Sequence, residues 1–137
     1  MSKYSLEQIA PENSLGMRFT TVYGPKAKPN MLIPKILRND VQYVNTNHKR
    51  DFIHVDDLMS AIDILMFSKL NGIIDIGTGH SYQLTDIINY FKIDCEKKIG
   101  SENERLNNKA DITTLNSLGW KPKTNLYDYI KENRNVN

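Results

Sequence analysis

One short segment, residues 50–57 (RDFIHVDD), contains the residue types best suited to chemistry in this sequence. Arg50 begins an extended stretch that leads into two carboxylates, Asp56 and Asp57. A guanidinium is a planar fork that can hold a phosphate through two hydrogen bonds. A surface arginine that merely pairs with an acidic neighbour contributes little. The residue types alone leave both interpretations open.

Three other patterns are weaker candidates for a site. Residues 77–79 (Gly-Thr-Gly) resemble the start of a dinucleotide-binding turn, but Tyr82 stands where that turn requires another glycine. An ordinary turn at a strand end is therefore favoured. Tyr127 and Lys131 have Tyr-x-x-x-Lys spacing, which coincidence explains better. The 3 histidines show no metal-ligand spacing, so no metal site is predicted.

The apolar spacing predicts alternating strands and helices, and hence an α/β fold. The predicted strands are residues 17–23, 41–44, 51–55 and 72–76, and the predicted helices are residues 5–10, 31–37, 56–69, 85–91, 112–118 and 125–132. The helix over residues 56–69 is the clearest, because Asp56 is a good N-cap and apolar residues follow at helical spacing. No repeat or linker divides the chain, so residues 1–137 are treated as a single unit.

The composition excludes several classes of protein. With 137 residues, 39% of them hydrophobic and 25% charged, the chain suits one globular domain rather than a disordered segment. A net charge of +2 without a basic face argues against nucleic-acid binding. No apolar run is long enough for a membrane span. The single cysteine and the lack of a signal-peptide pattern predict a cytoplasmic protein.

Family resemblance separates the two interpretations of the arginine. Residues 50–61 (RDFIHVDDLMSA) closely resemble a signature of NAD-dependent nucleotide-sugar epimerases and dehydratases, the extended short-chain dehydrogenase/reductase proteins. Residues 18–25 (RFTTVYGP) resemble the family's R-x-x-N-x-Y-G-P, and residues 75–79 (DIGTG) its N-[IVL]-G-[TS]-G. Residues 110–112 and 118–122 resemble its ADIS…LGWxP ending. The order and spacing agree along the whole chain.

The resemblance implies that part of the family's machinery precedes these residues. Ser2, Lys3 and Glu7 resemble the end of the family's Tyr-x-x-x-Lys motif, which makes Lys3 the catalytic lysine and a ligand of the nicotinamide ribose. The catalytic tyrosine and the glycine-rich βαβ unit that binds NAD would both fall before Met1. We therefore expect the C-terminal part of the α/β fold. NAD is the cofactor of the intact family, and none is expected to bind this chain alone.

The resemblance also implies a diphosphate site. In the family, the arginine at Arg50 binds a phosphate of the nucleoside-diphosphate sugar, and Arg105 is a second candidate for the same role. Residues 105–108 (RLNN) nevertheless depart from the family's R-P-G-[DE] and are followed by a shorter run. The loop that contains Asn30 and Leu32 resembles the loop that holds the nucleotide.

Three neighbouring residues would face the substrate and the nicotinamide. Thr21 stands where the family has the asparagine of N-x-Y-G-P, which contacts the substrate. A threonine has one hydroxyl in place of that amide, so the substrate class stays open. Phe19 and Thr20 would lie near the nicotinamide in a complete enzyme. Residues 28–31 (KPNM) resemble the R-P-D-M of sugar-uronate 4-epimerases and favour 4-epimerisation over dehydration.

Three functions remain open at this point. The first is the substrate-binding half of a sugar 4-epimerase that acts on a UDP-sugar with a separate NAD-binding half and is inactive alone. The second is a non-enzymatic sugar-nucleotide-binding module or degenerate remnant, and the third is a fragment of a longer protein. Residues 17–22 are nearly all apolar or β-branched, so an exposed edge there predicts a homo-oligomer.

Overall fold

Strands and helices alternate in the computed structural model, which describes residues 15–100 and 107–134. The strands are β1 Leu15–Phe19, β2 Thr21–Tyr23, β3 Tyr43–Asn45, β4 Lys49–Arg50, β5 Phe52–His54, β6 Gly72–Ile76, β7 Tyr82–Gln83 and β8 Glu96–Lys98. The helices are α1 Leu32–Leu37, α2 Val55–Met66, α3 Leu84–Tyr90, α4 Thr113–Ser117 and α5 Leu126–Asn133. The α/β prediction is confirmed. No helix in these ranges is long and apolar enough to cross a membrane.

The strands form pairs, most of them parallel. β1 pairs with β6, β2 with β5 and β3 with β8 in parallel, whereas β4 and β7 are antiparallel. Parallel neighbours cannot be joined by a tight hairpin, so each connection must cross over. The helix α2 connects β5, of the β2–β5 pair, to β6, of the β1–β6 pair, and its buried residues pack in one cluster with those of β6.

The single strand predicted over residues 17–23 is wrong, because the chain changes partner at Thr20. The backbone N–H of Thr20 donates to the Ile76 carbonyl at 3.0 Å, and that of Thr21 donates to the Asp51 carbonyl at 3.0 Å. One residue therefore separates a strand paired with β6 from a strand paired with β5. The continuous β-branched run gave no sign of this break.

The predicted start and end of the long helix are also wrong. The N-cap of α2 is His54, whose Nδ1 accepts the backbone N–H of Asp56 at 3.0 Å. Asp56 itself is exposed in the first turn, where its charge is favourable beside the helix N-terminus. The helix ends at Met66, before the predicted end of the 56–69 segment.

Asp57, in the first turn of α2, holds the C-terminal segment. Its two carboxylate oxygens each accept a backbone N–H, from Lys123 and from Thr124, both at 3.0 Å. One turn further along α2, Ser60 accepts the indole N–H of the buried Trp120 at 2.9 Å. The helix thereby fixes the chain that leads into α5.

Other element boundaries moved by only a residue or two. The helices predicted over residues 85–91, 112–118 and 125–132 correspond to α3, α4 and α5. The strand predicted over residues 41–44 is β3, and β4, β7 and β8 were not predicted. Pro34 lies in the first turn of α1, where a missing N–H breaks no helical bond. The predicted helix over residues 5–10 lies outside the described residues.

Two apolar clusters meet at β5. The first joins β2, β3, α1, α3 and α5, and the second joins α2, β6, α4 and Trp120. Phe52 belongs to the first cluster and Ile53 to the second, because successive side chains of a strand point to opposite faces. Full burial of a side chain of this size contributes about 1.5–3 kcal/mol, so β5 stabilises both layers.

Candidate functional site

A cleft of about 630 Å³ opens where β1 ends and β2 begins. Its wall consists of residues 19–28 together with Met31, Arg50, Val55 and Asn108. The change of partner at Thr20 creates this wall, because the chain passes from one strand pair to another there. The cleft thus lies at the carboxyl end of a parallel strand, where open α/β sheets bind their ligands.

Four of the residues singled out in the sequence line this cleft, namely Phe19, Thr20, Thr21 and Arg50. Phe19 is 43% exposed, a high value for a large apolar side chain. The hydroxyl oxygen of Thr20 is buried and has no hydrogen-bond partner among the described residues. The structure therefore gathers residues from two separate motifs, RFTTVYGP and RDFIHVDD, around one cavity.

The other predicted site residues are placed differently. Asn30 and Leu32 do not line the cleft, although Met31 between them does. The loop that resembles the nucleotide-binding loop is therefore beside the cavity but contributes a different side chain. Lys3 and Arg105 lie outside the described residues.

Three cationic side chains, Lys26, Lys28 and Arg50, lie in the wall of the cleft. Nη1 of Arg50 donates to the Lys49 carbonyl at 2.7 Å, and Nη2 lies 3.5 Å from Nδ1 of the buried His48. Both terminal nitrogens of the guanidinium therefore contact the protein, which holds the group against its own strand. A cavity with this charge suits an anionic group such as a phosphate.

A buried carboxylate, Asp51, organises the floor behind Arg50. Oδ1 accepts the backbone N–H and the hydroxyl of Thr78, at 2.9 and 2.6 Å. Oδ2 accepts the backbone N–H groups of Gly79 and Ala110, at 2.9 and 3.2 Å. A Cβ at Gly77 would lie 2.8 Å from Oδ2, so only glycine allows this approach. The turn therefore binds an internal carboxylate, which agrees with its interpretation as a strand-end turn.

Asn108 connects this floor to the cleft. Its Oδ1 accepts the backbone N–H of Asp51 at 2.7 Å, and its Nδ2 donates to the Thr21 hydroxyl at 3.0 Å. Sequence reasoning missed both Asp51 and Asn108. The departure of residues 105–108 from R-P-G-[DE] was the available signal for Asn108, because an unusual residue there must make different contacts.

Tyr23 lines the cleft but keeps its proton. Its ring packs edge-on against His54, with centroids 5.3 Å apart, and against Tyr129 at 5.1 Å. Burial raises the pKa of the Tyr23 hydroxyl strongly, and the charge of Asp57 raises it further. This phenol is therefore a hydrogen-bonding and packing group rather than a proton acceptor.

The second tyrosine pattern is remote from the cleft. Tyr127 packs on Tyr90 with ring centroids 4.4 Å apart, and Lys131 Nζ lies 5.1 Å from the Tyr90 ring centre. Burial raises the pKa of Tyr127. The Tyr-x-x-x-Lys spacing in α5 thus serves packing. In the part of the chain that the structure describes, no three His, Cys, Asp or Glu side chains are grouped to hold a metal ion.

The structure is thus that of an α/β protein with a cationic cleft at the end of a parallel strand. The chain belongs to the NAD dependent epimerase/dehydratase family, whose model matches residues 5–77, more than half of the sequence. The resemblance inferred from the motifs is therefore confirmed.

Individual relatives agree with this assignment. The chain is 28% identical over 134 residues to a putative UDP-glucose 4-epimerase of Methanocaldococcus jannaschii. This match covers 84% of this chain and 42% of the relative. It is 24% identical over 148 residues to the CDP-abequose synthase of Salmonella muenchen, covering 96% of this chain and 50% of the relative. The chain thus spans about half the length of these curated relatives.

A solved structure shows the same fold. The NAD-dependent NDP-hexosamine 5,6-dehydratase TunA, involved in tunicamycin biosynthesis, superimposes with a TM-score of 0.78 at 24% identity. The match covers 96% of this chain and 50% of TunA. The α/β fold with parallel strand pairs therefore matches about one half of the TunA chain.

Proposed function

We propose that this chain forms the nucleotide-sugar-binding portion of an NAD-dependent sugar 4-epimerase-like protein, with a UDP-sugar as its ligand. The observation that carries the proposal is the position of Arg50 in the wall of one cleft with Lys26, Lys28 and Thr21. The cations would hold the diphosphate, and the hydroxyl would contact the sugar. The KPNM segment and the UDP-glucose 4-epimerase relative favour 4-epimerisation.

The proposed role is binding and orientation rather than hydride transfer. In the family, bound NAD supplies the redox chemistry at the sugar carbon. The described residues hold no cradle for its pyrophosphate, because the glycine turn of residues 77–79 already donates its amides to Asp51. We propose that these residues bind and orient the sugar nucleotide and do not transfer hydride by themselves.

A second candidate is a sugar-nucleotide-binding module that performs no reaction. Both candidates require the same cleft, so ligand binding does not separate them. Addition of an NAD-binding half from a relative distinguishes the two candidates, because only an epimerase portion would then convert UDP-glucose to UDP-galactose. A separate half of this kind is part of the first proposal.

Self-association is also proposed. Arg18 and Phe19 at the end of β1 are exposed, and Phe19 offers apolar surface. Residues 17–19 and 21–22, expected at an exposed edge, are paired with β6 and β5, but among the described strands β1 has no partner on its other side. An open strand edge and an exposed apolar side chain favour pairing with another chain. Sedimentation equilibrium at micromolar concentration should show a dimer or larger species, and a clean monomer would contradict this part.

Isothermal titration calorimetry tests the binding site directly. UDP-glucose and UDP should bind the purified chain, and uridine should bind far more weakly, because it lacks the diphosphate. Arg50→Gln should weaken UDP binding by roughly 10- to 100-fold, the range expected for lost hydrogen bonds to a charged group.

The matched control is Lys121→Gln. It removes the same unit of charge from an exposed residue that does not line the cleft. UDP affinity should be unchanged in this variant. Absence of UDP binding, or equal losses in both variants, would reject the proposed diphosphate site.

A further inference from the structure

We propose that Thr21 and Asn108 together form a two-donor site for the sugar, which replaces the asparagine that the family carries at the position of Thr21. The inference rests on the proposed function and deepens it. Both residues line the cleft, together with the cation Arg50. They come from segments 87 residues apart, and the structure joins them by a hydrogen bond of 3.0 Å.

The orientation of the Asn108 amide is fixed by its surroundings. Oδ1 accepts the backbone N–H of Asp51 at 2.7 Å, and an N–H can only donate. The amide NH₂ must therefore be the end that reaches Thr21. An isolated parallel bridge between Lys49 and Asn107 keeps this segment beside the strand that carries Arg50.

Each partner then has one donor left. The NH₂ group carries two hydrogens, one of which goes to the Thr21 oxygen. The Thr21 hydroxyl accepts that bond, so its own hydrogen is available for another acceptor. No described residue receives either remaining hydrogen. Two donors side by side on the wall of the cleft suit oxygen acceptors such as sugar hydroxyl groups.

Burial explains why the pair can replace an amide at position 21. Thr21 and Asn108 are both half-buried, and the bond from Asp51 holds the amide rigid. A donor that is already oriented loses little conformational freedom when a ligand binds. The pair therefore offers the hydrogen-bonding capacity of the family's asparagine from a different position in the chain.

The experiment compares dissociation constants for UDP and UDP-glucose. The ratio of the dissociation constant for UDP to that for UDP-glucose isolates the contribution of the sugar, because changes at the diphosphate affect both ligands alike. A lower ratio means that the sugar contributes less to binding. We expect the wild-type chain to bind UDP-glucose more tightly. Thr21→Val keeps the β-branched shape without the hydroxyl and should lower the ratio about 2- to 12-fold, the range for a neutral hydrogen bond.

Asn108→Asp supplies the second test. It keeps an acceptor for the Asp51 N–H but has no amide hydrogens, so the ratio should fall here too. Asn107→Asp is the matched control, because it adds the same charge one residue away and retains the acceptor for the Lys109 N–H. The ratio should be unchanged in the control.

The reciprocal variant Thr21→Asn/Asn108→Thr tests the exchange itself. It returns the amide to position 21. Because the effects of substitutions at two contacting residues are not additive, the ratio should recover to within about threefold of the wild-type ratio. Thermal melts establish that each variant is folded at the titration temperature. An unchanged ratio in both Thr21→Val and Asn108→Asp, with UDP still bound, would overturn the inference alone. A wild-type chain that binds no UDP would overturn the proposed function and this inference together.

Discussion

The two ends of segment 50–57 each contain a fully or nearly fully buried aspartate, yet they are connected to different parts of the molecule. Asp51 is 0% exposed and binds the turn at residues 77–79 and Ala110, beside the cleft. Asp57 is 4% exposed and binds the backbone before α5, away from the cleft. Arg50, at the first end, lines the cavity, and Val55 lines it two residues before Asp57.

This difference shows that one signature can perform two separate structural tasks beside an arginine that lines the cleft. A buried carboxylate that accepts several N–H groups acts as a cross-link between distant segments. Its removal leaves those donors without partners, and each buried donor left unpaired costs about 1–3 kcal/mol. The number of bonds therefore ranks the expected effects.

Asp51→Ala should have the largest effect, because four donors lose their acceptor. We expect the free energy of unfolding to fall by about 3–5 kcal/mol, measured by urea denaturation. The turn at residues 77–79 and the segment at Ala110, which lie beside the cleft, should also loosen, so UDP affinity should fall in any protein that remains folded. A loss below about 1 kcal/mol would show that the turn is held by other contacts.

Asp57→Ala should cost about 2–4 kcal/mol in the same assay, because two backbone donors lose their acceptor. UDP affinity should remain that of the wild type when the titration is done well below the melting temperature. Comparable losses of affinity in the Asp57 and Asp51 variants would contradict the division between the two ends.

His54→Ala should have a smaller effect and Asp56→Ala the smallest. Loss of the cap costs about 1 kcal/mol. Loss of the contacts between the His54 ring and the rings of Tyr23 and Tyr129 adds to this cost. Asp56 contributes only its charge near the helix N-terminus, about 0.3–1 kcal/mol. His54→Asn restores a capping acceptor and should recover part of the loss. A larger loss of unfolding free energy in Asp56→Ala than in His54→Ala would show that Asp56 is the cap.

Titration with NAD should give no measurable heat with this chain. The backbone amides of Thr78 and Gly79 in the glycine turn are engaged by Asp51, and the family's glycine-rich βαβ unit is not among the 137 residues. Micromolar binding would show that Phe19 and Thr20 contribute to a cofactor site without that unit.

The sequence predicted the parts of this comparison that depend on local pattern or on the family motifs. Periodicity placed α2 within three residues at its end, and the resemblance brought Thr21 and Arg50 to attention. It could not predict the roles of Asp51 or Asp57, because their partners lie 27 to 67 residues away. The His54 cap was missed because histidine is an uncommon N-cap, while the neighbouring aspartate fits the usual preference.

The change of partner at Thr20 has a consequence for motion. One residue joins β1 to β2 along the chain, so any relative rotation of the β1–β6 and β2–β5 pairs would change the dihedral angles at that residue. Such a rotation would widen or narrow the cleft. A ligand that contacts both strand pairs would restrict such a rotation. We therefore expect ligand binding to slow amide hydrogen exchange in β1 and β2 together.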